Sequence, residues 1–295
     1  MSNRGYALPT ILIIAMIIIV ITMSIISSGR EKIAVALELK EKGKAYLLSY
    51  SAMNEVIYTI LTSSFTRTGL RIYKLDGSEL EWNLYGEPIK LSESVSVKLR
   101  DEAGMYSPLF NPSSLGRLVE SLSDDPGKSM FFSDTLADWQ DRDDFRRLNG
   151  AEYIDYKIED RVYGPRNFYI QLPEEIMLLK GFDSALFDDI EDEIFYWGSN
   201  TRNHLTMSRK LLMAQLRDDS LVDEIIELRK KGSLTRRIFM DMTNLYYTDQ
   251  SFFSPSGWIK VEVEARSKNA TERIKASILK REMDESPYLI SEWRR

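Results

Sequence analysis

Between Asp138 and Glu152 the chain gathers the residues best suited to chemistry: Asp138-Trp139-Gln140-Asp141-Arg142-Asp143-Asp144, followed by Gly150-Ala151-Glu152-Tyr153. Carboxylates at alternate or near-alternate positions, with a glycine turn and a further glutamate, offer several oxygen ligands to a hard cation such as Ca²⁺. The spacing is not that of an EF-hand loop. From spacing alone the preferred reading is a solvated acidic loop with Trp139 as its hydrophobic anchor. Other chemistries have less to work with. The chain has no cysteine, which excludes a disulfide framework, a thiol nucleophile and thiolate metal ligands. Its single histidine, His204, weakens any Ser-His-Asp triad and removes most histidine-based metal sites. There is no P-loop, dinucleotide fingerprint or Gly-x-Ser-x-Gly elbow. Catalysis is not expected.

Charge is concentrated. Residues 124–200 carry 8 Lys and Arg against 19 Asp and Glu, inside a chain of net charge −6. Such a block attracts cations and repels nucleic acid. Two segments nevertheless read as helix, glycine turn, helix: Glu174 to Ile190 around Lys180-Gly181-Phe182, and Leu221 to Met242 around Lys231-Gly232-Ser233. Such helix-hairpin-helix units hold DNA where the turn's N–H groups face a phosphate. The carboxylates around the first unit oppose that role, and the second is more basic. Helix pairs packing on each other is the reading preferred, and no nucleic-acid partner is expected.

The elements that must position these residues begin with an uncharged run from Gly5 to Gly29, long enough for a helix to cross a bilayer, which needs about 20 residues. Only five residues ending in Arg4-Gly5 precede it, and Tyr6 stands at its boundary. Cleavage before the apolar run, between Gly5 and Tyr6, follows a prepilin-type leader. A plain signal-anchor, or a signal cleaved near Ser27-Ser28-Gly29, is also compatible with these residues. Basic residues on both flanks (Arg4, Arg30, Lys32) leave orientation open. Ile33, Leu37, Leu48, Ala52, Val56, Ile57 and Ile60 recur at helical spacing, so one helix from Ala7 to Ser64 is predicted.

Strands are predicted at Leu70–Leu75 and Glu79–Leu84 around an Asp76-Gly77-Ser78 turn, at Ser94–Arg100, and at Trp258–Arg266 with its period-two alternation. Glu272–Lys280 reads as strand or helix. Between the strand blocks Leu115–Leu122, Pro173–Leu179, Ala185–Trp197, Ser208–Leu216, Leu221–Lys230 and Leu234–Met242 carry helical spacing. The fold class predicted is α+β: a long N-terminal transmembrane helix on a small antiparallel sheet, with a large all-helical domain inserted between its halves.

Several segments together resemble one family. They are Arg4-Gly5-Tyr6-Ala7-Leu8, the strand end Lys98 to Gly104, Leu136 to Asp143, Asn149 to Glu152, Tyr163-Gly164-Pro165-Arg166-Asn167, and Glu174 to Phe182. In this combination the chain resembles the minor pseudopilin K of the type II secretion system over nearly its whole length. The likeness is weakest from Trp197 to Met207, where the family's Asn-Thr segment survives only as Ser199-Asn200-Thr201. The resemblance implies a leader (1–5), a transmembrane part of the helix (6–29), a pilin-like helix and first strands (30–109), an inserted helical domain of SAM-like, helix-hairpin-helix type (110–248), and C-terminal strands completing the pilin-like sheet (249–295).

The resemblance also implies a role. Gly5 and Tyr6 would be the substrate site of the prepilin peptidase, with methylation of Tyr6. Pilins usually carry glutamate at the fifth mature position to neutralise a neighbour's amine. Here that position is Thr10, which fits a subunit at the filament tip, or is simply one mildly polar residue in a membrane helix. The implied function is to initiate and cap a short pseudopilus that aids export of folded proteins. Minor pseudopilins I and J would be its partners and calcium its cofactor, at Asp138, Asp141, Asp143 and Glu152. The implied location is the inner membrane, single-pass, with the C-terminal domain periplasmic. A tip minor pilin of a type IV pilus shares the same leader and helix. A membrane-anchored DNA-binding protein is the alternative from another class.

Overall fold

The computed structural model describes residues 7–123, 125–196, 201–245, 253–281 and 286–295; Gly5 and Tyr6 lie outside them. Helix α1 (Ala7–Thr62) is a single rod of 56 residues, about 84 Å long at 1.5 Å per residue. Gly43 does not interrupt it. This is one helix long and apolar enough to cross a membrane.

Packing divides the rod. Residues 8–40 are almost entirely exposed, and burial begins at Glu41. From there Ala45, Ser49, Ala52, Met53, Val56, Ile57 and Ile60 form one buried stripe, the three-to-four spacing of a helix face. The corresponding sheet runs β4 (Ile89–Ser92), β5 (Val95–Asp101), β6 (Trp258–Ser267), β7 (Ala270–Lys280) and β8 (Tyr288–Arg294), all antiparallel. Val95, Val97, Leu99, Ile259, Val261, Val263, Ile274, Ala276 and Ile278 face the helix. Each large apolar side chain buried this way contributes roughly 1.5–3 kcal/mol. A smaller sheet of β1 (Ser64–Phe65), β2 (Gly69–Tyr73) and β3 (Glu79–Asn83) sits beside it, with the Asp76 carboxylate accepting the Ser78 N–H in the hairpin turn at 2.9 Å.

The apolar stripe read from the sequence is corrected at its upper end. Ile33 and Leu37 are exposed (63% and 52%), because the sheet reaches no further than the β6–β7 turn, and Leu48 (39%) lies off the buried stripe of Ala45, Ser49 and Ala52. There the Ser267 hydroxyl donates to Glu41 at 2.6 Å and Lys268 approaches it at 3.3 Å. Residues 272–280 belong to strand β7, pinned by ladders on both sides. Strands β4 and β8 had no recognised signal.

Strands β5 and β6 are neighbours in the sheet, yet the whole helical block lies between them. Among the described residues it contains α2 (Pro112–Ser123), α3 (Gly127–Gln140), α4 (Tyr153–Ile158), a 3₁₀ turn (Pro173–Leu178), α5 (Ser184–Ile190), α6 (Arg209–Leu216), α7 (Asp219–Lys230) and α8 (Arg236–Thr243). These share a core of their own around Leu115, Leu118, Phe132, Leu136, Ile190, Leu211 and Ile225. Helix α3 carries Asp138 and Trp139 in its last turn, where the sequence suggested an acidic loop.

The block is fastened to the sheet at the end of β5. Asp101 is 1% exposed and its carboxylate accepts from Asn203 Nδ2 at 3.0 Å and Thr206 Oγ1 at 2.9 Å. It also accepts from Ala103 N at 3.2 Å, Ser256 N at 3.0 Å and Ser256 Oγ at 2.9 Å. Three distant stretches of chain therefore meet on one side chain. Gly104 permits the approach, since a Cβ there would lie 2.5 Å from Thr206 Oγ1 and 2.8 Å from its backbone carbon. We expect Asp101→Ala to lower stability by about 3–5 kcal/mol, the cost of orphaning buried donors around a lost charge. A urea-unfolding midpoint equal to that of the unaltered chain would remove Asp101 from this role.

Candidate functional site

The acidic constellation is divided between the last turn of α3, the loop after it and the start of α4. Asp138 is fully buried. It accepts from the Arg147 guanidinium at 2.6 Å and from the Arg147 backbone N–H at 3.2 Å. Arg147 bridges to Asp141 as well. Gly150 lies directly against this pair, because a Cβ there would fall 1.9 Å from Asp138 Oδ2. That close approach explains the glycine better than a ligand-loop turn does.

Glu152 is the exception to this compensation. It is 5% exposed, and neither of its carboxylate oxygens has a hydrogen-bond partner; Asp141 Oδ1 is likewise unpaired. Burial first, and then the charges of Asp138, Asp141, Asp144 and Asp143, push its carboxyl up to about 7. Asp143 is exposed and accepts the Phe145 N–H at 2.9 Å. As placed, no three His, Asp or Glu side chains among the described residues converge tightly enough to hold a metal ion. Asp138 and Asp141 are thus brought together by Arg147, Glu152 feels both, and Asp143 stands at the rim.

The anchor beside this cluster is larger than Trp139 alone. Trp139 is 3% exposed and packs with Tyr156 and Tyr163 at centroid distances of 5.8 and 6.4 Å. Its backbone carbonyl accepts the Asn167 N–H at 3.0 Å. Glu175 collects the Arg166 guanidinium at 2.6 Å and the N–H groups of Gln171 and Leu172 at 3.0 and 3.1 Å. Three separated sequence motifs therefore converge on one aromatic and polar knot. The role of Arg147 was not foreseen, although its place among five aspartates and glutamates hinted at it.

Most N–H groups of the two glycine turns are already used within the chain. Phe182 N donates to Leu179 O, Lys180 N to the Tyr156 hydroxyl, and Gly232 N to Arg229 O. Thr10 is an exposed residue of α1. Ser199 and Asn200 lie outside the described residues. The residues that act in that neighbourhood are Asn203 and Thr206, a few positions further on, whose burial against Asp101 has no periodic signature.

A folded carboxyl raised above its ordinary 4.5 destabilises the fold when ionised, and the penalty disappears as pH falls from about 7 to 4.5. In chelator-treated protein, Glu152→Gln should therefore raise stability at pH 8 by about 1–3 kcal/mol. That advantage should shrink to nothing near pH 4.5. Thermal unfolding across this range tests it, and a pH-independent difference would exclude ionisation of Glu152 as the cause.

Comparison with known proteins bears on these same segments. Residues 101–194 match the family model described as type II secretion system (T2SS), protein K. The match begins at Asp101 and ends at Ile194, which closes an isolated bridge to Tyr106. The type II secretion system protein K of Klebsiella pneumoniae is 25% identical over 231 residues, covering 75% of this chain and 69% of that one. Among solved structures, a chain in the crystal structure of the GspK-GspI-GspJ complex from the enterotoxigenic Escherichia coli type 2 secretion system has the same fold. Its TM-score is 0.55 at 14% identity, covering 87% of this chain and 97% of that chain. Residues 101–194, which run from the end of β5 into the helical block, thus match the protein K model of the type II secretion system, and the chain as a whole is similar in fold to a chain of that complex.

Proposed function

We propose that this chain initiates and caps the tip of a type II secretion pseudopilus, held in the inner membrane by α1 with its folded part in the periplasm. The observation that carries this reading is the division of α1. From Glu41 onward one face of it is buried on the sheet, whereas the stretch above Glu41 exposes Ile33, Val35, Leu37 and Leu39 beyond a membrane crossing of residues 7–29. Apolar side chains just outside the bilayer need helices to pack against. The solved complex to which the fold is similar contains GspI and GspJ, so pseudopilins of types I and J are the partners inferred. The helical block widens one end of the subunit, which supports a terminal place in a filament of narrower subunits. Gly5 and Tyr6 would be processed by the prepilin peptidase, and Thr10, lacking a carboxylate, would need no neighbour's amine.

Co-expression with the cognate I and J subunits and prepilin peptidase tests this. A mature chain beginning at methylated Tyr6, recovered in a complex that Leu37→Arg disrupts without changing the chain's own unfolding midpoint, is expected. An intact N-terminus and no co-purification would overturn the reading.

We further infer that the acidic cluster binds calcium. The two unpaired, buried oxygens of Glu152 and the unpaired Asp141 Oδ1 are donors of the kind a hard cation takes, while Asp138 is held by Arg147 and Asp143 lies at the rim. Bound Ca²⁺ would neutralise the excess charge around Glu152 and tie α3 to α4. Calcium at about 100 times its Kd should stabilise the chain by about 2.7 kcal/mol. The gain should fade below about pH 7 as Glu152 takes up its proton and be absent in Glu152→Gln. Equal unfolding midpoints in CaCl₂ and in chelator would refute it.

A further inference from the structure

The α7–α8 hairpin is the one sequence motif that neither the tip reading nor the acidic cluster uses. Its helix α7 carries in its last turn Arg229, which is only 5% exposed. Nη1 of Arg229 donates to the Met207 carbonyl at 2.8 Å, and the guanidinium lies over the Tyr85 ring at 4.9 Å. Nε and Nη2 have no hydrogen-bond partner. Those two groups form one edge of the guanidinium plane, the parallel pair of donors that matches two oxygens of a carboxylate or phosphate. Leaving such donors buried and unpaired is costly. Burial pulls this guanidinium down to about 10, with Tyr85 and Glu87 opposing.

Arg229 lines a cleft of about 550 Å³ between the small sheet and the hairpin turn at Gly232. Arg67 and Arg71 line the same cleft, and Glu81 is its carboxylate. Arg67 is exposed and makes no ion pair among the described residues, while Arg71 stands 3.5 Å from Glu79. Glu81 already accepts the Thr66 hydroxyl at 2.8 Å. Glu79 offsets Arg71 and Glu87 lies near Arg229, so what the cleft offers an anion is the exposed charge of Arg67 and the unpaired donor edge of Arg229.

We propose that this cleft is an oxyanion-binding site in which Arg229 supplies a buried donor fork and Arg67, with Arg71 beside it, supplies the entrance charge. Its ligand is a carboxylate or phosphate group, either free in solution or presented by the acidic side chains of a protein segment. The site is independent of the acidic cluster, which lies at the α3–α4 junction, and of the tip reading.

The test uses the full chain in neutral detergent, titrated at fixed ionic strength with inorganic phosphate or with a capped Asp-Glu-Asp tripeptide. Saturable binding of at least one probe by calorimetry is expected. The exposed double variant R67Q/R71Q should weaken it about tenfold or more, and Arg229→Lys, which keeps the charge but loses the fork, should do the same. Should Arg229→Lys fail to fold, the double variant still decides. Tighter binding of the tripeptide identifies a protein carboxylate as the ligand, and tighter binding of phosphate a free anion. Absence of saturation with both probes, or an unchanged affinity in the double variant, would overturn the proposal.

Discussion

A carboxylate taken out of water must be surrounded by donors, and Asp101 collects five of them, four from more than a hundred residues along the chain. The last residue of β5, the segment entering α6 and the approach to β6 are thereby held in one place. Everything downstream depends on this. The exit from β5 and the return to β6 are fixed together here, at the end of the ladder that pairs the two strands. Burial pushes the Asp101 carboxyl up and its donors pull it back, so the arrangement tolerates a charge only while the set of donors is complete.

Around that point the junction between sheet and helices is polar, while each side has its own apolar core. Arg100 reaches Glu193 at 2.7 Å, Lys275 reaches Asp192 at 3.1 Å, and Lys260 donates to the Glu191 carbonyl at 3.1 Å. Glu102, hydrogen-bonded by Ser277, is pushed up to about 8 by its burial. Apolar contact would join two bodies with little preference for orientation. Directional hydrogen bonds between partly buried charges specify one orientation.

The acidic cluster shows the same economy of position. Trp139, Arg166, Asn167 and Glu175 were each noticeable as parts of separate motifs, and the fold gathers them on one side of α3. The carboxylates on the other side are unequal. Arg147 pairs with Asp138 and with one oxygen of Asp141, and Glu152 is left with both oxygens unpaired. Spacing treated these side chains as equivalent because it records only that they are close in sequence. Which one lacks a partner depends on where Arg147 points.

The sequence by itself determined the elements whose signal is local. An uncharged run makes a long helix, strict alternation makes β5 and β6, and an Asp-Gly turn makes a hairpin, because side-chain period and turn chemistry act within a few residues. The interruption of the sheet by helices followed from the order of those elements, and the family resemblance from motifs standing in the right succession. Tertiary structure decided what depends on partners far along the chain. It set where α1 stops being buried, since the β6–β7 turn ends at Glu41, and it made residues 270–280 a strand by placing a ladder on each side. It also chose Asn203 and Thr206 as the fastening of the helical block and left Arg229 with an unpaired edge. A buried polar side chain has no periodicity, and its meaning lies in the groups that surround it; those are brought together only when the chain has folded.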